Sequence, residues 1–517
     1  MATITFRFRM IFISCLILLS LVPIASAAHP SLLFSDIVQT PGYQLRTTSP
    51  WSGWQATIIS DANYALTYNF ADTTEREYYR QEYTFDLALA YQITKQANYL
   101  DHARDGLLHM GGGSIPTYID RSTALRGYSL AYDLIQPTLS AANDTLIRDK
   151  LATMADQVYK NLNSDGRPYY QIAFDDFQGR AYPDVGIVGC VLSDYTNPNH
   201  LALSTTPADW YKVGTDYLFV NDLLHDTGGR SLFSYGFDES SGKHLNGGYK
   251  EYSLADLYWW CQVYSHYTGQ NIFDVYPATK RALTSELWET MPNFYANNFI
   301  TEGNVKYYYH NAVYNLLDPD TRAQVLKYDT LLKASTLLPY STIAGGVPTG
   351  ELLYLVSGDY GSVTPQDPPW TSHLSASAIY QTFRGGWAQD ADWLSLITFN
   401  QKTASNRDTA HHDQLSIEYY SRGDLLLGDA GEDKYILDRF YGHYESHHNT
   451  IALENPRSPY PASSWANSQA RGIYKANINN LVTPVTNDPI IQVPWMELFQ
   501  GKASITYVVG ADHWADL

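Results

Sequence analysis

The sequence predicts an α+β chain of more than one domain, with packed helices first and an antiparallel β-sheet after them. Three observations carry this. From about Arg76 to about Ala344, apolar residues recur every three or four positions, and no strand-like run falls between the helical segments. Around Tyr340 to Trp370 the composition turns to Gly and Pro, in AGGVPTG and GSVTPQDPPW, as in a connection. Beyond it, short β-type runs bounded by turn residues dominate. At 517 residues the chain exceeds one ordinary domain. Its 44% hydrophobic and 17% charged residues provide for a large core and argue against global disorder. The expected boundaries are a leader at 1–27, a helical domain at 28–345, a linker at 346–375 and a sheet domain at 376–517.

The N-terminus has the pattern of an export signal: Arg7 and Arg9, the apolar run MIFISCLILLSLVPIA, then small residues at Ala25–Ala27. The run is short for a spanning helix, which needs about 20 residues, and an uncleaved anchor is the alternative. No second long apolar run follows. The mature chain is therefore expected free of the membrane, as a secreted, periplasmic or cell-surface protein. Cys15 leaves with the leader, and Cys190 and Cys261 remain as either a disulfide or two buried thiols. The segments EREYYRQEYTFDLALAYQITKQ, STALRGYSLAYDLIQ, DTLIRDKLATMADQVYKNL and EYSLADLYWWCQVYSHYTG are helical in period, and Gly, Pro, Asn and Asp breaks separate them. Successive helices without strands favour helical hairpins packed side by side.

The strands are expected in DWLSLITF, QLSIEYY, DLLLGDA, NTIALEN and SITYVVG. In the second of these, Leu415, Ile417 and Tyr419 point one way while Ser416, Glu418 and Tyr420 point the other. SRGD turns the chain back into LLLGD. The net charge of −19 argues against nucleic acid and anionic membrane as partners, since both need a basic footprint. A polyanionic substrate stays open through a local cluster of Arg and Lys. The 43 Tyr and 12 Trp include candidates for the flat walls on which sugar rings stack. NDT at Asn143 permits N-glycosylation.

The chemistry-bearing stretch is RDTAHHDQLSIEYYSRGDLLLGDAG, Arg407 to Gly431. A hairpin there brings His411, ahead of its first strand, close to Asp429, at the close of the second. If NTIALEN joins the same sheet, His448 arrives at the same end. Two imidazoles and one carboxylate suit a zinc ion with one position left for another ligand. The alternative is that these side chains only satisfy loop amides. Arg407 and Arg439 flank the region, either to meet acidic sugars or as ordinary salt-bridge partners.

AHHDQLSIEYYSRGDLLLGDAGEDKY, followed by YESHHNTIALEN, resembles the heparinase II/III-like polysaccharide lyases, including the related alginate lyases. Their pattern is H-x-H-x-D before a strand, D-x-G after the next, then H-N-T and an apolar residue. HPSLLFS, LRGYSLAYDLIQPTL and GKHLNGGYKEYSLADLYWW also look like the family. The resemblance spans nearly all of the chain after the leader, and its specific part is the C-terminal set. It implies an incomplete α/α toroid followed by an antiparallel, sandwich-like β-domain. Family β-domains run beyond the point where this chain stops, so the sheet domain is expected to be incomplete.

The same resemblance implies a structural zinc held by His411, Asp429 and His448. It also implies a secreted lyase that cleaves a uronate-containing, acidic polysaccharide by β-elimination. The family's tyrosine motif falls on NGGYKEYSLADL, which makes Tyr249 the first candidate for base or acid and Tyr252 the second. Asn246 stands where the family has Glu. Thr409 stands where it has the first histidine, with His412 as the neighbouring replacement. In place of the family's Asn-His pair, DDFQGRAYPDVGIVG offers Gln178 and Arg180, which can donate to a carboxylate, Arg bidentately. Two other readings fit the same outline. One is a toroid glycoside hydrolase using carboxylates such as Asp175, Asp176 and Glu251. The other is a non-catalytic polysaccharide-binding or cell-surface protein.

Overall fold

The computed structural model describes residues 29–115, 118–164, 178–224, 230–237, 242, 250–285, 287, 291–292, 310–331, 349–373, 380–397 and 417–428, with short strand pieces between 486 and 502. Gln178 and residues 250–253 are described for their backbone alone. The described chain is helical first and sheet after, in the predicted order. Among the described residues no helix is long and apolar enough to cross a membrane. The leader, NTIALEN and SITYVVG lie outside the described residues.

The helices differ in how many of their faces are buried, and this sorts them into two layers. The helices α1 (Trp51–Ala65), α3 (Ala97–Leu108) and α5 (Ala141–Ser164) each bury a stripe, for example Tyr99, Ala103, Gly106 and Leu107 in α3. Such a stripe marks a helix with one face on the core. The helices α2 (Glu77–Thr94), α4 (Tyr118–Ile135), α6 (Gln178–Val191) and α8 (Lys250–Thr268) are buried nearly all round. They pack on one another in sequence, α2 on α4, α4 on α6 and α6 on α8. The outer helices, with α7 (Pro207–Lys212), pack behind them. Close approach between α6 and α8 depends on glycine. A Cβ on Gly186 would stand 2.9 Å from the Trp260 ring and from the Gly214 Cα.

Two clasps fasten the N-terminal segment. The Asp133 carboxylate at the end of α4 accepts from the backbone of Ser31 at 2.9 Å and of Leu32 at 3.1 Å, and lies 2.6 Å from His29 Nδ1. That is the physical content of the HPSLLFS segment: its polar groups terminate on one buried acid. The second clasp involves α10 (Thr349–Val356), a helix inside the stretch expected as a linker, and α9 (Pro319–Leu331) precedes it. Its apolar ELLYLV run packs on α1, Trp51 Nε1 donates to Ser357 O at 2.7 Å, and Tyr354 OH donates to Gln55 Oε1 at 2.9 Å.

The sheet is five-stranded and antiparallel, in the order β1 (Ser372–His373), β2 (Tyr380–Arg384), β3 (Trp393–Ile397), β4 (Ile417–Ser421), β5 (Asp424–Leu427). The expected β4–β5 hairpin forms on a two-residue turn. Arg422 and Gly423 have φ of 53° and 93°, the left-handed pair that matches strand twist. Two further pairs, β6 (Thr486–Asn487) with β9 (Gly501–Lys502) and β7 (Ile491–Val493) with β8 (Met496–Leu498), are also antiparallel.

Of the two faces of β4, the one bearing Glu418 and Tyr420 is buried. Its register rows are Arg384–Trp393–Tyr420 and Thr382–Ser395–Glu418, all buried. The opposite rows, with Phe383, Leu394, Leu396, Ile417 and Tyr419, are only half-buried. The sheet therefore turns a polar face inward. That face meets the helical part, where Met291 packs with Trp393 and Tyr420, and Arg384 Nη2 donates to Leu287 O at 3.2 Å.

Replacing Asp133 with Ala removes the acceptor for two backbone donors. It is expected to cost roughly 3 kcal/mol and to expose residues 29–40 to protease. Denaturant unfolding with limited proteolysis checks this, and unchanged stability with an intact N-terminal segment contradicts the clasp.

Candidate active site

The inner helices bring two of the sequence-chosen stretches together. Arg180 lies in the first turn of α6, and Tyr252 in the first turn of α8. Asp256, one turn beyond Tyr252, has Oδ2 3.5 Å from Arg180 Nε. Arg126 of α4 pairs with the other oxygen of Asp256, and its Nη1 is 3.9 Å from Asp184 Oδ1 on α6. These four side chains are buried, and the Trp259 ring lies 6.0 Å from the Arg126 guanidinium carbon. The packing of α4 on α6 and of α6 on α8 decides which of these charges meet. Each charge sits in an otherwise apolar run, so it is carried into the core, where it persists only if paired.

Burial also acts on the acids. Desolvation pushes Asp184 up to about 7, against the opposing pull of Arg126 and Arg180. On α2, desolvation and then the nearby Glu351 push Glu82 up to about 8. Desolvation and the Glu351 and Glu82 carboxyls raise Asp86 well above the usual carboxylate range, and Asp86 shares a hydrogen bond with Glu351 of α10. The Tyr78 phenol, second residue of α2, is raised by burial and by Glu82, with Arg180 and Arg126 opposing. This end of the helical layer thus holds two guanidinia, a phenol and several acids that keep protons near neutral pH.

The other sequence-chosen residues stand as follows. Tyr249, His412, Arg407 and Arg439, with the three zinc candidates His411, Asp429 and His448, lie outside the described residues. So do Asp175 and Asp176, and the side chains of Gln178, Glu251 and Tyr252. Among the described residues no group of three or more His, Cys, Asp or Glu is arranged to hold a metal ion. Cys190 and Cys261 are both free and buried, so the two-thiol alternative holds. Sequence reasoning missed Tyr78, Arg126, Asp184 and Asp256. The signal for the last three was present: a lone charge within ALRGYSLAY, AYPDVGIVG and SLADLYWWC reads as a buried pair waiting for a partner.

No protein-family profile matches this sequence, and no curated protein matches it. Solved structures similar to it include heparinase III, at 14% identity and a TM-score of 0.43, over 72% of this chain and 53% of that one. The heparinase III-BT4657 gene product matches at 12% identity and a TM-score of 0.46, over 82% of this chain and 70% of that one. Heparan sulfate lyase HepC from Pedobacter heparinus matches at 12% identity and a TM-score of 0.41, over 69% and 49%. The chain spans about half the length of the first and third of these.

Arg126→Met removes one of the two guanidinia that answer the buried Asp184 and Asp256 carboxyls and is expected to destabilise the fold by about 3–5 kcal/mol. Adding Asp256→Leu should recover part of that loss in denaturant unfolding, whereas additive losses would mean that the pair is not coupled. The raised acids set a pH dependence. In the folded chain Asp184 and Glu82 keep protons that the unfolded chain releases at the ordinary carboxylate pH, so their contribution to stability is full below that pH, falls as pH rises above it, and is gone above about 7 and about 8. Melting temperature should therefore fall between pH ~5 and pH ~8, and Glu82→Gln should flatten the fall. A midpoint that rises over that interval in both proteins contradicts the assignment.

Proposed function

We propose that the protein is an exported polysaccharide lyase that cleaves a uronate-containing polymer by β-elimination, built as an incomplete α/α toroid with a β-domain. The layered helices fit that architecture, inner α2, α4, α6 and α8 backed by outer ones. The observation that carries the reading is the meeting of the α6 and α8 N-terminal turns through Arg180 and Asp256. Those are the two segments in which the sequence places the carboxylate-binding group and the tyrosine.

The chemistry divides into three tasks. The uronate carboxylate must be neutralised, so that the proton on C5 becomes acidic. A base must take that proton, and an acid must protonate the leaving oxygen. Arg180, with Gln178, neutralises the carboxylate. Tyr249 takes the proton, returns it to the leaving oxygen, or does both, with Tyr252 as the second candidate. A base role requires its phenol to be brought down from about 10 by neighbouring cations. His412, Arg407 and Arg439 are the contributions assigned to the sheet side of the cleft. A zinc ion on His411, Asp429 and His448 would brace the β-domain.

Tyr249→Phe is expected to abolish the absorbance of an unsaturated uronide when the protein is incubated with a panel of uronate polymers, while melting temperature stays within about 2 °C. Full activity in that variant rejects Tyr249. Reducing ends without the absorbance mean a hydrolase, and retention on a polysaccharide gel with neither product means a binding protein. His448→Ala should lower the zinc content measured on the purified protein, together with thermal stability.

A further inference from the structure

The Tyr78 hydroxyl is buried with its ring and makes no hydrogen bond. The residue is 6% exposed. Among the described residues two other buried phenol oxygens lack a well-formed bond. Tyr68 nevertheless has Arg80 beside it, and Tyr267 has Ser193. Tyr78 has no such neighbour. A buried, unmatched donor costs about 1–3 kcal/mol, a cost that a ligand oxygen would remove. Glu82 and Tyr79 from its own helix, Arg126 from α4 and Arg180 from α6 act on this phenol electrostatically, and the Arg76 guanidinium carbon lies 5.4 Å from its ring centroid. Tyr78 and Arg180 both lie in the first turns of their helices.

We propose that Tyr78 is a binding residue for the carboxylate of an acidic sugar, its hydroxyl donating to one carboxylate oxygen while the Arg126 and Arg180 guanidinia balance the charge. The inference rests on the reading of this end of the helices as a uronate site, and it adds a residue that the family resemblance does not supply. Asp184 and Glu82 hold their protons up to about 7 and about 8, so near neutral pH the guanidinia face fewer ionised acids than the sequence counts. Burial and Glu82 keep the phenol itself protonated, which makes it a donor and leaves proton abstraction to another group.

The test compares the full chain with its Tyr78→Phe variant by titration calorimetry against glucuronate, a monosaccharide that no lyase cleaves, with glucose as the neutral control. Glucuronate affinity should fall roughly tenfold or more in the variant, as for one lost hydrogen bond to a charged group, with glucose unaffected. Melting temperature should hold or rise, because no protein bond is lost; a hydroxyl with a structural role would lower it instead. Equal glucuronate affinity in the two proteins overturns the proposal, and so does a wild type that ignores glucuronate. Glucuronate binding through Tyr78 without any unsaturated product from polymers leaves this inference standing and removes the lyase reading. Unsaturated product with unchanged affinity and KM in the variant does the reverse.

Discussion

The structure depends on the pairing of Arg126 with Asp256. Four inner helices have almost no face toward water, so any charge on them must be answered by another helix. Arg126 comes from α4, Asp184 and Arg180 from α6, and Asp256 from α8. One constellation thereby fixes the mutual rotation of three helices, which apolar packing alone would specify more loosely. It also fixes where the first turns of α6 and α8 lie relative to each other, and with them the residues proposed to meet substrate. The same rule operates on α2. Glu77 accepts from Tyr128 OH and from the Gly113 backbone, each at 2.5 Å, and lies 3.2 Å from Arg80 Nε.

The polarity of the sheet extends that logic to the second part of the chain. An antiparallel sheet usually turns apolar residues inward. Here the buried face carries Thr382, Arg384, Ser395 and Glu418 alongside Trp393 and Tyr420, while Phe383, Leu394 and Tyr419 remain half-buried. A polar face is a costly choice for a core. Its contact with Leu287 and Met291 directs it at the helical part.

Several protonated acids near neutral pH give the helical end an electrostatic character that its composition hides. The chain is acidic overall, at −19. Yet Glu82, Asp86 and Asp184 are each pushed toward the neutral form by burial, with Glu82 and Asp86 also opposed by Glu351. Two guanidinia then stand among fewer negative charges than a count would give. An acidic protein can in this way offer a local site to an acidic polymer.

The sequence by itself determined the order of the parts, because the period of apolar residues changes from three or four to two across a Gly- and Pro-rich stretch. It also determined the β4–β5 turn, where SRGD supplies the glycine that a two-residue hairpin requires, and it singled out Arg180 and the α8 start. The contents of the stretch expected as a linker were less legible: Thr349–Val356 is too short to show a period, and it is helical because α1 and the Pro41–Gln44 turn cover it. The buried side of β4 was also undecided, since both faces carry a tyrosine and neither is purely apolar. The convergence of Tyr78, Arg126, Asp184 and Asp256 belongs to tertiary structure alone. Those residues are spread over α2, α4, α6 and α8, and only the packing of helices far apart in the chain sets which charges meet, which acids keep their protons and which hydroxyl is left facing them.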